Sequence, residues 1–336
     1  MTLTSLGDLS SSYSTRLRNV SLRQEIDRLT QELATGQITN VREVLAGNTG
    51  YLTDLERRMD VLEGFKVATT EAAVFGRAIQ DSLEIFERYG EDLSSSLLIA
   101  GTNSVGVISS DTVLEAKSAL SGLIGTLNTN AAGRFLFSGV ATDRPPLLDA
   151  DTLLTELRTV IGAAAATDPD SVLAAAEAWF NDPAGFEAMM YQGGARGLAP
   201  INLSETEQVT LDVRATDPEL REVLRLTAVA ALADDPTLGY DAEGQSELFA
   251  KTGSALLLAQ DDVIAVRANV GFAEAQVQRI AARNAAEQTG LEYAKLELLN
   301  VDPFEAATRL EEAQFQLQSL YQVTVRMSQL SLSNFL

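Results

Sequence analysis

The sequence predicts a mainly α-helical protein in which long N- and C-terminal helices form an antiparallel helical bundle or coiled coil, with a smaller inserted mixed α/β domain. Aromatic residues make up only 6% of the 336 residues, while Ala, Leu, Glu and Gln are abundant, which favours long helices. Apolar residues recur at spacings of three and four near both ends of the chain. Six of the eight prolines lie between Pro145 and Pro218, so the middle has a different character.

The first predicted helix runs from Tyr13 to Leu33. Its apolar residues follow three-four spacing, with a change of phase between Val20 and Leu22 that resembles a coiled-coil stutter. Gly36 is suited to end this helix, because glycine adopts the left-handed conformation that terminates helices.

A second helix is predicted from Leu52 to Ser96, longer than an ordinary globular helix. The stretch Gly101–Gly106 should interrupt it, and Asp111 is expected to cap a third helix. Gly133 is expected to stop that helix, and Arg134–Phe137 reads as a short strand.

The middle of the chain reads as a separate small domain. An Ala-rich helix is predicted at Ser171–Asn181 and an alternating strand at Gln208–Val213. The resulting domain prediction is an N-terminal helical arm at 1–140, an inserted outer domain at 141–246 and a C-terminal helical arm at 247–336.

Helical periodicity returns from Glu247 and continues to Leu299. After a break, Asp302 is a candidate N-cap of the last helix, with Pro303 at the first helical position and Glu305 placed for a capping box. We expect this last helix either to dock on the core of its own chain or to lie between subunits of an assembly.

Composition restricts the possible functions. With 47 acidic and 25 basic residues the net charge is −22, which argues against nucleic acid and anionic membrane as partners. The chain has no Cys and no His, so the commonest nucleophile, general base and metal ligands are missing.

Residue patterns that could indicate chemistry lack their required companions. Lys251-Thr252-Gly253 resembles one element of penicillin-recognising enzymes, yet the chain contains no Ser-x-x-Lys. Four acidic pairs lack the spacing of a calcium loop and are expected to be solvated loops or caps: Asp149/Asp151, Asp168/Asp170, Asp234/Asp235 and Asp261/Asp262. We therefore expect no enzyme activity, no cofactor and no metal, and we expect the single tryptophan, Trp179, to be a core residue.

The apolar stripes of the N- and C-terminal helices, here called the terminal seams, should pack on each other, since each is too narrow to be stable alone. Their remaining faces would then contact neighbouring subunits. The predicted assembly residues are Leu17, Val20, Ile26, Leu29, Leu33, Leu310, Leu317, Leu320, Met327, Leu330, Leu332, Phe335 and Leu336.

Five stretches together resemble the flagellin superfamily, and within it the hook-associated junction proteins. They are LTQELATG at Leu29–Gly36, NAAGRFLFSG at Asn130–Gly139, RANVGFAEAQVQRI at Arg267–Ile280, VDPFEAATRL at Val301–Leu310 and SQLSLSNFL at Ser328–Leu336. The family usually has an Asp-Asp pair after the first helix. Its absence after Gln37 weakens a filament flagellin assignment more than a junction-protein assignment.

The resemblance implies a structural protein that joins hook to filament. Its implied partners are further copies of itself in a ring or helical array, another hook-associated protein, flagellin subunits and an export chaperone. It also implies export of the unfolded chain through the flagellar type III route, without a cleaved signal peptide, to the extracellular flagellum. The alternatives are a filament flagellin subunit and a non-flagellar coiled-coil adaptor.

Overall fold

The computed structural model describes residues 4–41, 49–102 and 106–333, and most of them are helical. The prediction of a mainly α fold with long terminal helices is confirmed. The helices are α1 (Thr4–Thr35), α2 (Gly50–Gly101), α3 (Gly106–Leu127), α4 (Ala150–Ala163), α5 (Pro169–Asn181), α6 (Phe186–Met190), α7 (Pro218–Ala231), α8 (Ala242–Leu299) and α9 (Pro303–Ser333). Two short antiparallel hairpins complete the fold, β1 (Asn130–Ala131) with β2 (Arg134–Phe135) and β3 (Ile201–Asn202) with β4 (Gln208–Val209).

The chain forms two compact units. The terminal unit comprises Met1–Glu63 and Ala285–Leu336, and the core unit comprises Gly64–Asn284. Helices α2 and α8 each contribute residues to both units. The predicted boundaries at 140 and 246 stay a prediction.

In the core unit, α2 and α8 run antiparallel and approach closely at glycines. A Cβ added at Gly101 would lie 2.8 Å from the Ala250 Cα, and one added at Gly253 would lie 3.0 Å from the Leu97 Cβ. The Gln80 amide donates to the Arg267 carbonyl at 2.6 Å, and the Arg267 guanidinium pairs with Glu84 and Glu87. Small residues therefore let the two backbones approach, and the polar contacts fix their register.

The middle of the sequence shares its hydrophobic core with these helices. Almost every residue of α7 from Val223 onwards is buried, as is typical of a helix enclosed on all sides. Trp179 on α5 is half-buried and meets Phe180 and Phe186 edge-on, with ring centroids 5.1 and 6.2 Å apart. The core unit thus has one continuous core that includes the inserted elements.

The hairpin after α3 differs from its prediction. Helix α3 ends at Leu127, and Gly133 instead forms the turn between β1 and β2, where Ala132 and Gly133 both have positive φ (51° and 82°). Such a pair matches the twist that a two-residue hairpin turn requires. The Asn130 Oδ1 accepts the Gly133 N–H at 3.0 Å. The expectation that Gly133 stops the helix was wrong.

Two further local expectations also need correction. Helix α3 begins at Gly106, so Asp111 lies within it and is not its N-cap. The strand predicted at Gln208–Val213 is reduced to β4, while Leu211 and Val213 are buried in irregular backbone. Alternating burial can arise without a partner strand, so the sequence pattern alone overestimated the length of the strand.

Candidate assembly surface

Helices α1 and α9 pair in antiparallel order within the terminal unit. Near the end of α1, the Val301 N–H donates to the Gly36 carbonyl at 3.1 Å. Further along, the Arg23 guanidinium donates to the Tyr321 hydroxyl at 2.6 Å. Positions along α1 therefore decrease as positions along α9 increase, which confirms the predicted antiparallel pairing of the terminal helices.

Backbone hydrogen bonds between residues 36–38 and residues 299–301, here called the clip, fix the register of this pair. The Ile38 N–H donates to the Leu299 carbonyl at 2.9 Å, beside the bridge between Gln37 and Asn300. Gly36, with φ of 69°, turns the chain into the clip as the sequence predicts.

Glu32 holds the clip from inside the terminal unit. Its side chain is buried and accepts from the Arg28 guanidinium at 3.1 Å and from the Thr39 N–H at 3.0 Å. A buried carboxylate is stable only when it is paired and hydrogen-bonded. The sequence reading placed Glu32 on neither seam, so its role was missed.

Asp302 caps the start of α9 as predicted, but the Glu305 side chain does not complete the predicted capping box. The Asp302 carboxylate accepts from the Phe304 N–H at 2.9 Å and from the Glu305 N–H at 3.3 Å. The Glu305 side chain forms an ion pair with Arg309 at 2.6 Å. The cap fixes the direction in which α9 leaves the clip.

The structure divides the predicted assembly residues into three groups. Leu29 is buried inside the terminal unit, and Leu17 and Val20 are more than half exposed. The partly buried members are Ile26, Leu33, Leu310, Leu317 and Leu320. Leu22, which lies on the other side of the phase change, is buried, and on α9 the buried contacts are the small residues Ala306 and Ala313.

The side chains of Met327, Leu330 and Leu332 are not described, and Phe335 and Leu336 lie outside the described residues.

Several large apolar side chains of the terminal unit face solvent. Phe304 is 84% exposed and Phe315 is 69% exposed, and Tyr293, Val323 and Val325 are exposed as well. Leu17 and Val20 on α1 are exposed too. Contiguous exposed apolar groups mark contact surfaces, and these side chains are the candidates for such contacts on the terminal unit.

Polar contacts link the helices of the terminal unit. Lys295 on α8 pairs with Glu56 on α2 at 2.8 Å. Hydrogen bonds from Arg23 and then Asn19 on α1 hold the pKa of Tyr321 on α9 below its ordinary value. Both contacts lie between two helices of the unit.

Several of the residues considered for catalysis or metal binding have structural roles. Lys251 pairs with Asp170 at 2.7 Å and Glu247 at 2.9 Å, and its pKa is raised by these partners. Asp149 caps α4 through the Thr152 N–H at 2.8 Å, and Asp168 caps α5 in a capping box with Ser171. Among the described residues, no group of three or more His, Cys, Asp or Glu side chains is placed to hold a metal ion. No helix in the described ranges combines the length and apolarity needed to cross a bilayer.

Comparison with known proteins agrees with this architecture. Residues 257–336 match the family described as the bacterial flagellin C-terminal helical region. No curated protein sequence matches the chain.

Two solved structures are similar in fold. The crystal structure of Bacillus cereus FlgL has a TM-score of 0.50 and 11% identity, covering 73% of this chain and 99% of that one. A candidate flagellar hook-associated protein from Vibrio parahaemolyticus has a TM-score of 0.48 and 12% identity, covering 75% and 99%. The likeness to FlgL establishes the fold of this chain.

Proposed function

We propose that this chain is a structural subunit of the bacterial flagellum that joins hook to filament as a hook-associated junction protein. It leaves the cell unfolded through the flagellar type III route and assembles through the outward faces of its terminal helices. Its neighbours are further copies of itself, another hook-associated protein and flagellin subunits.

The observation that carries this proposal is the exposure of large apolar side chains on α1 and α9. The second of these helices lies inside the region that matches the flagellin C-terminal family. Complete burial of one large apolar side chain contributes about 1.5–3 kcal/mol. Four such side chains, Leu17, Val20, Phe304 and Phe315, are exposed on this unit, so burial between subunits would stabilise an array strongly.

The test places a charge on the outward face of α1 without disturbing the monomer. Leu17→Glu changes a side chain that is 55% exposed, so the isolated chain should fold as the parent does. In an array the new carboxylate would be buried without a partner, which costs several kcal/mol at each subunit. We expect the variant to be exported but lost to the medium, leaving hooks without filaments and abolishing swimming.

The matched control is Thr30→Glu, which adds the same charge at an exposed position of α1 about 140° around the helix from Leu17. It should swim and be retained in the flagellum. Immunoblots of cells, detached flagella and medium measure retention. If Leu17→Glu swims like the parent, the outward face of α1 is not an assembly surface.

Immunogold labelling of intact flagella separates the junction role from that of a filament flagellin. A junction protein should be labelled in a short band between hook and filament. Label along the whole filament would favour the flagellin subunit instead.

A further inference from the structure

The clip bonds the segment after α1 to the segment before α9 in both directions. The Ile38 N–H donates to the Leu299 carbonyl, and the Val301 N–H donates to the Gly36 carbonyl. Small groups of neighbouring hydrogen bonds open together as a local cooperative unit, separately from the rest of a protein. The clip is therefore a point at which the end of α1 can separate from the start of α9.

Glu32 connects the end of α1 to the clip through both its backbone and its side chain. Its carbonyl accepts the Gly36 N–H at 2.8 Å, and its carboxylate accepts the Thr39 N–H at 3.0 Å. Gly36 begins the α1 side of the clip and Thr39 follows it directly, so one residue holds both ends of this segment. Because the Glu32 side chain is buried, water competes poorly for its hydrogen bonds.

Arg28 compensates the buried charge of Glu32. Its guanidinium donates to the two carboxylate oxygens at 3.1 and 3.2 Å. Arg28 also pairs with Glu25 at 3.5 Å, but Glu25 is exposed and lies two turns before Glu32 on α1. Of the two carboxylates that pair with Arg28, Glu32 is the one bonded to the segment of the clip.

The other side of the clip leads directly into α9. Val301 precedes Asp302, whose carboxylate caps α9 and whose carbonyl accepts the Ala306 N–H at 3.0 Å. Ala306 is buried within the terminal unit. A closed clip therefore fixes the first turn of α9 relative to the last turn of α1.

We propose that Glu32 is the latch of this local opening. While its carboxylate holds Thr39, the clip stays closed, and α1 and α9 are presented to neighbouring subunits as one body. When the carboxylate is removed, the clip opens and the outward faces of the two helices lose their fixed relation. The consequence for assembly rests on the proposed function, whereas the opening is a property of the single chain.

Amide hydrogen exchange of the full chain in solution measures the opening. In Glu32→Ala we expect the Ile38 and Val301 amides to exchange at least about tenfold faster, since the hydrogen bonds to a charged group are lost. Amides of the core unit, such as that of the buried Leu120, should keep their parental rates.

The matched control is Glu25→Ala, which removes the other carboxylate that pairs with Arg28. It should leave exchange at the clip at the parental rate. Glu32→Gln keeps an acceptor oxygen for the Thr39 N–H but loses the ion pair, so its exchange rates should lie between those of the parent and of Glu32→Ala.

Three results would overturn the latch. The first is parental exchange of Ile38 and Val301 in Glu32→Ala. The second is equal acceleration by Glu25→Ala, because the effect would then come from the ion pairing of Arg28. The third is acceleration throughout the core unit, because Glu32 would then stabilise the whole fold instead of a local unit.

Retention of the subunit in flagella tests the consequence for assembly. Glu32→Ala should release about tenfold more subunit into the medium than the parent, and Glu25→Ala should be retained as the parent is. Faster exchange at the clip combined with parental retention would overturn the role of the closed clip in assembly. If the parent chain itself is missing from flagella, the proposed function fails, and the exchange rates still decide whether Glu32 is the latch.

Discussion

The core unit buries most of its phenylalanines, although Phe272 is 70% exposed, whereas the terminal unit exposes both of those that the structure describes. Phe86, Phe137 and Phe249 are fully buried in the core unit, whereas Phe304 and Phe315 are exposed in the terminal unit. Both units are built from long helices, so helix length does not explain the difference. The core unit covers its helices with other parts of the same chain.

The terminal unit has a thin interior by comparison. Among the residues of this unit whose burial is described, the buried apolar ones are Leu22, Leu29, Leu55, Leu62, Ala306 and Ala313. Because helices draw most of their stability from the packing of an apolar face, α1 and α9 should be weakly stable in an isolated chain. Because its interior is thin, the terminal unit is expected to be the less stable of the two, and under the proposed function it would gain stability from neighbouring subunits that cover it.

The largest expected effect separates the two environments directly. Phe86→Ala should lower the free energy of unfolding by about 3–5 kcal/mol, because it leaves a cavity in a close-packed core. Phe315→Ala removes a side chain that is 69% exposed, and it should change the stability of the monomer by less than about 0.5 kcal/mol. Urea unfolding followed by the fluorescence of Trp179, which lies in the core unit, measures both. Equal destabilisation by the two variants would contradict the comparison.

A smaller effect is expected from glycines in the two units. Gly101→Ala places a Cβ 2.8 Å from the Ala250 backbone in the core unit, and it should destabilise by about 1–3 kcal/mol through overpacking. Gly290→Ala in the terminal unit has no atom within 4 Å of its new Cβ, and it should stabilise α8 locally by about 0.5–1 kcal/mol. Urea unfolding measures the first change, and slower amide exchange around residue 290 measures the second. Stabilisation by Gly101→Ala would show that α2 and α8 are not closely packed at that point.

The parts of the fold that were predicted correctly depend on local sequence. The Asp302 cap, the turn at Gly36 and the break after Leu299 each arise from residues within a few positions of one another. Three-four spacing likewise identified the region of α1, because helix periodicity is a property of the segment alone.

The parts that were missed depend on what packs against each helix. Leu17, Val20 and Leu22 are all apolar, yet only Leu22 is buried, because the pairing with α9 decides which face is covered. On α9 the covered positions include Ala306 and Ala313, where small side chains permit a close approach. Attention to large seam residues therefore overlooked Phe304 and Phe315, which face outward.

The smallest expected effect is a pH dependence carried by the helix caps of the core unit. Hydrogen bonds from the Ser171 hydroxyl and then its N–H lower the pKa of Asp168 below its ordinary 3.8. A carboxylate with a lowered folded-state pKa contributes stability above its unfolded pKa, and that contribution is lost as the pH falls through the folded value. Asp168→Asn keeps an acceptor oxygen but does not titrate. The parent should therefore be slightly more stable than this variant near neutral pH, and the difference should disappear as the pH falls below 3.8.

Asp149→Asn provides an independent second case, because the Thr152 N–H lowers the pKa of Asp149 in the same way. Urea unfolding at a series of pH values measures the difference, and an advantage of the parent that grows on acidification would show that the caps are not the source.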